Sequence, residues 1–364
     1  MIRDVEFLII GGGPAGLSAA LAATEYGVQT LVIDESIKLG GQLIKQTHKF
    51  FGSKMERAGT RGFVIGEQLV QELSQRENFS AMTGTTAAGI YEDGVVTAVR
   101  NETEWLKFRP KKILIATGAS ERMIAFPGND LPGVYGAGAV QTLMNVYGIL
   151  PGERVLMVGA GNIGLIVSYQ LLQAGVRVAA VVEIMDKIGG YWVHASKIRR
   201  LGVPILTRYT IIRANGSESV ESAVIAKVDD NFNPIPGTEV EVKVDTICLA
   251  VGLTPTLELL FQAGAQMKYV PELGGDVPLR DRFLRTSVEN IYVAGDAAGI
   301  EEASSAMLEG NIVGLAVAKS LGYDVPDFER KIEVLENELK VLRAGPLSQK
   351  IREGLKKVLV SWEN

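Results

Sequence analysis

Residues 11–16 read GGGPAG and residues 159–164 read GAGNIG, and these two glycine-rich stretches decide the fold of the chain. Each follows a short apolar run that is typical of a buried parallel strand, residues 5–10 and residues 154–158. Each also opens a stretch rich in alanine or leucine that is typical of a helix. The order of strand, glycine turn and helix is that of a dinucleotide-binding βαβ unit, so the sequence predicts two such units.

The residues of the first turn have separate physical roles. Gly11 permits the tight turn after the strand, Gly13 lets the backbone approach a pyrophosphate, and Gly16 lets helix and strand pack closely. Pro14 and Ala15 stand at the start of the helix, whose N-terminus directs backbone N–H groups and partial positive charge at the phosphates. The sequence therefore predicts a phosphate-binding helix start at this point.

An acidic residue follows each glycine turn by about twenty residues, after a second β-branched run. In the first unit Asp34 and Glu35 are both candidates to accept hydrogen bonds from ribose hydroxyls, and the spacing from Gly16 favours Asp34. Two such units suggest two adenine nucleotides held at once. That is the layout of a flavoprotein that exchanges electrons with a nicotinamide.

Composition narrows the class of protein. The 364 residues suffice for two domains of ordinary size, and the net charge of −5 gives no reason to expect a nucleic-acid partner. No apolar run approaches the roughly 20 residues that span a bilayer, and the N-terminus has no signal-peptide anatomy. We therefore expect a soluble cytoplasmic protein without a membrane span.

The single cysteine, Cys248, lies in an apolar run and is predicted to be a buried strand residue. One cysteine excludes an internal disulfide, a CxxC redox pair and an iron–sulfur site. The chain has only two histidines, without Cys or carboxylate partners at ligand spacing, so no metal site is predicted.

The order of predicted elements indicates an α/β fold in which one domain is inserted into another. We predict two Rossmann-like three-layer nucleotide-binding domains, the first built from residues 1–120 and 256–325 and the second from residues 121–255. Residues 326–364 are predicted as a helical tail whose apolar residues recur at 4-3-4-3 spacing. This stripe either packs on the chain's own domain or forms a surface for a partner.

Four motifs in order are highly specific in combination: residues 11–16, GGQL at 40–43, ATG at 116–118 and AGD at 294–296. They resemble the FAD domain of the pyridine nucleotide-disulfide oxidoreductase family, and the GGQL stretch resembles its thioredoxin-reductase-like branch. The resemblance extends to about residue 321 and implies FAD in the first unit. It also implies the following cofactor-binding residues: Gly40, Gly41 and Gln42 on the flavin side, Asp296 at the ribityl chain, and Thr117, Gly118, Gly295, Ser304 and Ser305.

Two further roles follow for the flavin. The helix that begins near residue 303 is expected to direct its N-terminus at the flavin N1–O2 edge, where the helix dipole favours the negative charge of reduced flavin. His48 comes directly after the GGQL loop and is the one candidate catalytic side chain, because by position it could face the isoalloxazine and histidine titrates near neutral pH.

The second turn resembles the nicotinamide domain of the same family, with these binding residues: Gly159, Gly161, Asn162, Ile163, Gly164 and Glu183. A carboxylate at residue 183 suits the free 2′-hydroxyl of NAD and repels a 2′-phosphate. Residues 184–187 (IMDK) lack the arginine pair of an NADP site, so we predict NAD(H). Two alternatives stay open: another adenine nucleotide, or a scaffold without ligand.

The chain departs from thioredoxin reductase where that branch has its redox cysteine pair, because residues 136–141 read GAGAVQ. Electrons on the flavin must therefore leave directly to a bound molecule, to oxygen or to a partner protein. We predict an FAD-dependent oxidoreductase that transfers hydride between NAD(H) and flavin, with both rings stacked between the domains.

A cysteine-poor sub-branch is also similar to this chain: the FAD-containing subunits that accompany amine-type dehydrogenases such as dye-linked proline dehydrogenase and heterotetrameric sarcosine oxidase. Residues 40–46 (GGQLIKQ) and the C-terminal helical pair with Leu342, Arg352 and Gly354 carry this resemblance. Two alternative functions therefore stay open. One is a non-catalytic nucleotide-binding subunit, and the other is one chain of a multi-subunit dehydrogenase of the amine, proline or sarcosine type. The expected partners are a nicotinamide nucleotide and a partner dehydrogenase subunit or electron carrier, in a homo- or hetero-oligomer.

Overall fold

The computed structural model describes residues 2–362, and the chain divides into two compact units. The first unit comprises the residues up to Ser120 together with those from Thr254 onward, and the second comprises Glu121–Leu253. The C-terminal tail, residues 326 onward, therefore lies within the first unit.

The helices of the described residues are, in chain order, α1 (Pro14–Thr24), α2 (Gly62–Ser74), α3 (Ala137–Tyr147), α4 (Asn162–Gln173), α5 (Trp192–Arg200), α6 (Glu258–Gln262), α7 (Ala303–Ser320), α8 (Phe328–Leu342) and α9 (Gln349–Leu355). The strands of the same residues are β1 (Arg3–Ile10), β2 (Thr30–Ile33), β3 (Phe79–Met82), β4 (Thr85–Ile90), β5 (Val96–Arg100), β6 (Glu104–Ile115), β7 (Ala119–Glu121), β8 (Val134–Gly136), β9 (Arg154–Val158), β10 (Arg177–Glu183), β11 (Ile205–Thr207), β12 (Tyr209–Asn215), β13 (Ser222–Lys227), β14 (Val240–Lys243), β15 (Thr246–Leu249), β16 (Leu253–Pro255), β17 (Met267–Val270), β18 (Gly275–Pro278) and β19 (Ile291–Val293).

The main sheet of the first unit has the strand order β3-β2-β1-β6-β5-β4, and β19 also pairs with β6. β1, β2, β3, β6 and β19 run parallel, while β4 and β5 add an antiparallel meander. The register aligns Ile10 with Ile33 and Ile115, and Val293 with Ile115. The carboxyl ends of these strands therefore meet at one edge of the sheet, where ligands of open α/β sheets bind.

Helix α1 is apolar on all sides because it lies buried among the sheet, α2 and α7. Its backbone comes very close to that of α7: a Cβ on Gly310 would lie 2.1 Å from the carbonyl oxygen of Ala15. A Cβ on Gly314, one turn further along, would lie 2.4 Å from the carbonyl oxygen of Ala19. Because Ala15 belongs to the first glycine turn, this packing fixes the position of α7 relative to that turn.

We expect Gly310→Ala to lower the free energy of unfolding by about 2–3 kcal/mol, because the added methyl group overpacks two helix backbones. This destabilisation by overpacking outweighs the roughly 1 kcal/mol by which alanine, compared with glycine, stabilises a helix interior. Denaturant unfolding of the protein without bound ligand measures this loss. Gly345→Ala is the matched control, since no atom lies within 4 Å of a Cβ there. Equal stability of the two variants would contradict the close approach of α1 and α7.

The amphipathic tail packs on its own unit. Ile332, Leu335 and Leu339 of α8 are buried in the core that α1 and α7 share. Leu355 and Val358 form a smaller apolar cluster beside β17 and β18. Of the two interpretations of the 4-3-4-3 stripe, the structure therefore supports packing on the chain's own domain.

The second unit has a parallel sheet with the strand order β11-β10-β9-β15-β8. Helices α3, α4 and α5 cover one face, and the antiparallel sheet of β12, β13 and β14 covers the other. This arrangement confirms the predicted three-layer α/β fold. Cys248 lies buried in β15, as predicted, and burial raises the pKa of its thiol. No helix among residues 2–362 is long and apolar enough to cross a bilayer.

Candidate nucleotide-binding sites

The first glycine turn is tight because two of its glycines touch backbone atoms. Gly11 has a φ of +108°, and a Cβ there would lie 2.2 Å from the carbonyl oxygen of Ala116. A Cβ on Gly16 would lie 1.9 Å from the carbonyl oxygen of Gly11. By contrast, the nearest atom to a Cβ on Gly13 is the Cα of Gly41 at 3.8 Å. The turn therefore leaves space at the N-terminus of α1, as a bound phosphate requires.

Asp34 lies buried at the end of β2, directly beside this turn. Its Oδ2 accepts the N–H of Gly12 at 2.6 Å, and its Oδ1 accepts the N–H of Ser36 at 2.8 Å. Glu35, the other candidate for the ribose, is exposed. The structure thus brings Asp34 to the glycine turn and leaves Glu35 at the surface.

The loop after Asp34 folds back onto the turn. The N–H of Gly40 donates to the carbonyl oxygen of Gly12 at 2.8 Å, and Gly40 has a φ of +120°. Gln42 follows in a short 3-10 turn and is exposed. Further along, the ring of His48 stacks on that of Phe50 with centroids 5.5 Å apart.

The opposite side of the site is the 3-10 turn that follows β19. Gly295 has a φ of +71°, and its N–H donates to Oε2 of Glu309 at 2.9 Å. Asp296 comes next, and its Oδ1 accepts the N–H of Glu301 at 3.2 Å. Burial raises the pKa of Asp296 to about 7, and the carboxylates of Glu309 and Glu301 contribute to this rise. A half-buried acid with such a raised pKa is typical of a functional site.

The remaining predicted residues of the first unit lie around the same sheet edge. Thr117 donates its hydroxyl to the carbonyl oxygen of Thr256 at 2.8 Å, and Gly118, with a φ of +73°, has no atom within 4 Å of a Cβ. Ser304 and Ser305 are buried in the first turn of α7, and the Ser304 hydroxyl donates to the backbone of the loop at residue 51. We call the turn at residues 11–16, Asp34, residues 40–42 and residues 295–296 the first cradle.

The second unit repeats the contacts of the first cradle. A Cβ on Gly159 would lie 2.3 Å from the carbonyl oxygen of Ala250, and one on Gly164 would lie 2.1 Å from that of Gly159. No atom lies within 4 Å of a Cβ on Gly161, so the start of α4 is open like that of α1. Ile163, in the first turn of α4, is 39% exposed.

Glu183 takes the place that Asp34 has in the first unit. Its Oε2 accepts the N–H of Ala160 at 2.7 Å, and its Oε1 accepts the N–H of Met185 at 3.1 Å. Both carboxylate oxygens are thereby fixed beside the glycine turn. Asn162 accepts the N–H of Tyr191 at 2.8 Å through its side-chain oxygen.

Sequence reasoning missed a second glycine pair in this unit. Gly189 and Gly190 follow Glu183 at the spacing at which Gly40 and Gly41 follow Asp34. Both donate their N–H groups to the carbonyl oxygen of Ala160, at 3.1 and 3.0 Å. The repeat is visible in the sequence, since residues 38–41 read KLGG and residues 187–190 read KIGG. We call residues 159–164, Glu183 and residues 189–190 the second cradle.

The segment at residues 136–141, which contains no cysteine, carries a carboxylate contact. Glu121 accepts the N–H of Gly138 at 2.5 Å and that of Ala139 at 3.0 Å, so it caps the N-terminus of α3. A Cβ on Gly136 would lie 2.3 Å from Oε2 of Glu121. Within residues 2–362, no group of three or more His, Cys, Asp or Glu side chains is arranged to hold a metal ion.

Comparison with known proteins places the chain in a family and finds similar proteins. A family model described as pyridine nucleotide-disulphide oxidoreductase matches residues 5–310. The alpha chain of sarcosine oxidase from Corynebacterium sp. (strain P-1) is 26% identical over 333 residues, which is 88% of this chain and 33% of that protein. An opine oxidase subunit from Rhizobium meliloti (strain 1021) is 28% identical, over 88% of this chain and 72% of that protein.

Two solved structures extend the comparison. L-proline dehydrogenase from P. horikoshii has a TM-score of 0.72 at 28% identity, covering 93% of this chain and 60% of that chain. Thioredoxin reductase from T. acidophilum has a TM-score of 0.72 at 20% identity, covering 88% of this chain and 99% of that chain, which shows a shared fold. The chain thus spans about a third of the length of the sarcosine oxidase alpha chain.

Proposed function

This chain belongs to the pyridine nucleotide-disulphide oxidoreductase family, as its motifs predicted, and on that premise we propose that its first cradle holds FAD and its second NAD(H). Members of the family bind FAD and typically NAD(P). Bound flavin supplies the redox chemistry, while the protein binds, orients and tunes it. The proposed activity is transfer of a hydride between NAD(H) and the flavin.

The observation that carries the proposal is the repetition of one cradle in both units. Each has a carboxylate whose two oxygens accept backbone N–H groups, one of them from the glycine turn. Each has a glycine whose missing Cβ leaves room at a helix start, Gly13 and Gly161. A helix N-terminus with such room suits the pyrophosphate of a dinucleotide.

The first cradle fits FAD in two further respects. Asp296 is a half-buried carboxylate with a raised pKa that a polyhydroxylated chain would supply with hydrogen-bond donors. Helix α7 begins at the same sheet edge with the small residues Ala303, Ser304 and Ser305, and the positive end of its dipole would favour the negative charge of a reduced flavin. Side chains of this chain would thus bind and orient the cofactor.

The second cradle favours NAD over NADP. The carboxylate of Glu183 is fixed by two backbone N–H groups and cannot easily turn away from a ribose that lies on the turn. A 2′-phosphate at that place would meet like charge, whereas a 2′-hydroxyl donates a hydrogen bond. Residues 184–191 (IMDKIGGY) contain no arginine for a phosphate.

Electrons would leave the flavin without a sulfur relay. The only cysteine, Cys248, is buried in β15, and burial raises the pKa of its thiol, which keeps it unreactive. We therefore propose that the acceptor is a bound molecule, oxygen or a partner protein.

The relatives favour one alternative function, that of an FAD-containing subunit in a dehydrogenase or oxidase of the amine type that is built from several chains. Two of them are named as subunits, of sarcosine oxidase and of opine oxidase. In that case a partner chain would oxidise the organic substrate, and this chain would exchange electrons with that partner in a hetero-oligomer.

Anaerobic titration of the purified protein with NADH separates these functions. We expect the visible absorbance band of the bound flavin to bleach with NADH, and to bleach far more slowly with NADPH. Bleaching that requires both an organic amine and a co-purified second flavoprotein would favour the function within a larger complex. Bound flavin that no donor reduces would indicate a non-catalytic role in nucleotide binding. If the protein stays colourless after incubation with excess FAD, the proposal is overturned.

A further inference from the structure

The C-terminal tail contacts the loop behind the first cradle through one arginine. Arg343 directly follows α8, and its Nε and Nη2 donate to the two carboxylate oxygens of Glu301 at 2.8 and 2.7 Å. Nη2 also donates to Oε1 of Glu309 at 2.8 Å. The three side chains are only 15%, 8% and 6% exposed. Bidentate hydrogen bonds between buried charges are strong and directional, unlike ion pairs in solvent.

Both glutamates also bond to the loop that carries Asp296. Oε2 of Glu309 accepts the N–H of Gly295 at 2.9 Å. The backbone N–H of Glu301 donates to Oδ1 of Asp296 at 3.2 Å. Two separate chains of hydrogen bonds therefore lead from Arg343 to the first cradle, one through each glutamate.

The charges in this cluster depend on one another. The carboxylates of Glu309 and Glu301 are close enough to Asp296 to raise its pKa, after the larger effect of burial. Arg280 is fully buried and faces the same two glutamates electrostatically. Burial lowers the pKa of Arg343, and the two glutamates more than offset this effect. Loss of Arg343 would leave three carboxylates with Arg280 as the nearby cation, and uncompensated buried charge is costly.

The tail holds Arg343 in place from its other side. Nη1 of Arg352, on α9, donates to the backbone carbonyl oxygens of Arg343 and Gly345. The apolar stripe of α8 packs into the core at Ile332, Leu335 and Leu339. The packed tail thus holds Arg343 against the two glutamates, as a residue that positions others requires.

We propose that Arg343 is a positioning residue for the first cradle: through Glu309 it fixes the N–H of Gly295, and through Glu301 it fixes the carboxylate of Asp296. Its guanidinium donates to the two glutamates and would act on the cradle through them. The inference rests on the proposed function, because it takes FAD as the ligand of this cradle.

The first test compares FAD affinities of apoprotein variants by fluorescence titration. We expect Arg343→Met to bind FAD about tenfold or more weakly, as for the loss of a buried hydrogen bond to a charged group. Arg343→Lys should recover part of this loss, because lysine restores the charge but not the fork of donors. Arg282→Met is the matched control: Arg282 also pairs with tail glutamates, Glu329 and Glu336, but is 46% exposed. It should stay within about twofold of the parent.

A double-mutant cycle separates positioning from mere support of the fold. We expect the effect of Arg343→Met on FAD affinity to shrink strongly in an Asp296→Asn background and to stay complete in an Asp34→Asn background. Asp34 lies in the same cradle but outside the two hydrogen-bond chains. Equal effects in both backgrounds would overturn the proposal. If Arg343→Met does not fold, judged by thermal unfolding of the apoprotein, Arg343→Lys carries the same cycle.

The two proposals fail in different ways. A parent protein that binds no FAD refutes the proposed function. A parent protein that binds FAD with the same affinity as Arg343→Met and Arg343→Lys refutes only the role of Arg343.

Discussion

Asp296→Asn is expected to stabilise the FAD-free protein at pH 8 while it weakens FAD binding. Burial raises the pKa of this carboxyl from its ordinary value of 3.8 to about 7 in the folded protein. Between these two pH values the folded state binds more protons than the unfolded state, so stability falls as the pH rises through that window. Above pH 7 the carboxyl is ionised in the folded protein, and its destabilising effect reaches its full size. Asparagine has no charge to bury, so we expect Asp296→Asn to raise the free energy of unfolding by about 2–3 kcal/mol at pH 8.

FAD binding should respond in the opposite direction. The carboxylate is expected to accept hydrogen bonds from the ribityl hydroxyls, and an amide is a weaker acceptor that adds donors at the wrong place. We expect a loss of FAD affinity of about tenfold to a hundredfold. The two readouts are thermal unfolding of the apoprotein at pH 5 and pH 8, and fluorescence titration with FAD at pH 8.

Asp34→Asn supplies the matched contrast for the stability readout. The carboxylate of Asp34 accepts two backbone N–H groups, so an amide would lose one acceptor and bring an N–H group against another. This variant should therefore be less stable than the parent at pH 8, in contrast to Asp296→Asn. An Asp296→Asn apoprotein that unfolds at lower temperature than the parent at pH 8 would contradict the destabilising effect of the ionised carboxylate at this position.

Local sequence patterns predicted the elements whose formation depends mainly on residues that are close in sequence. Helix α7 runs over Ala303–Ser320 and begins where the sequence predicted a helix start, and its apolar and small residues are buried on nearly all sides. Strand β6 begins at Glu104, but only its end, residues 113–115, is a buried apolar run of the kind that marks a strand in the sequence. The first half of β6 alternates between exposed and less exposed residues and gains its order from pairing with β5 and β1, which a search for buried runs does not detect.

Side-chain contacts between segments that are distant in sequence could not be predicted from the sequence alone. Arg343 and Glu309 are 34 residues apart, and nothing in the spacing of charges on α7 or α8 distinguishes this pair from the solvent-exposed ones. Burial distinguishes them, and burial depends on how the tail crosses α7. The second glycine pair, by contrast, was readable, since Gly189 and Gly190 repeat the spacing of Gly40 and Gly41 from an acidic residue.

Gly16→Ala and Gly164→Ala form a pair of equivalent substitutions that should separate the two cradles. The added Cβ would lie 1.9 Å from the carbonyl oxygen of Gly11 in the first case and 2.1 Å from that of Gly159 in the second. Backbone atoms must move in both variants to make room for the methyl group. We therefore expect each substitution to distort its glycine turn. We expect Gly16→Ala to lose FAD, with an affinity reduced about a hundredfold or more, as for about 3 kcal/mol of strain.

Gly164→Ala should keep FAD bound and lose rapid reduction by NADH. The measurements are flavin content after gel filtration and the rate of anaerobic bleaching at saturating flavin. Gly161→Ala tests whether the effect in the second unit comes from the turn itself or from the ligand. No atom lies within 4 Å of its Cβ, so it should leave thermal unfolding unchanged and hinder only the approach of a pyrophosphate.

The pattern across the three variants decides between the proposed functions. Fast NADH reduction in Gly164→Ala would exclude the second cradle as the nicotinamide site, even if the parent enzyme accepts NADH. Slow reduction in both Gly164→Ala and Gly161→Ala, with full flavin content, would require a nucleotide in the second cradle, because Gly161→Ala disturbs no packing in the protein alone. A Gly16→Ala protein that retains its flavin would show that the first turn does not bear the pyrophosphate, and the assignment of FAD to the first unit would fall with it.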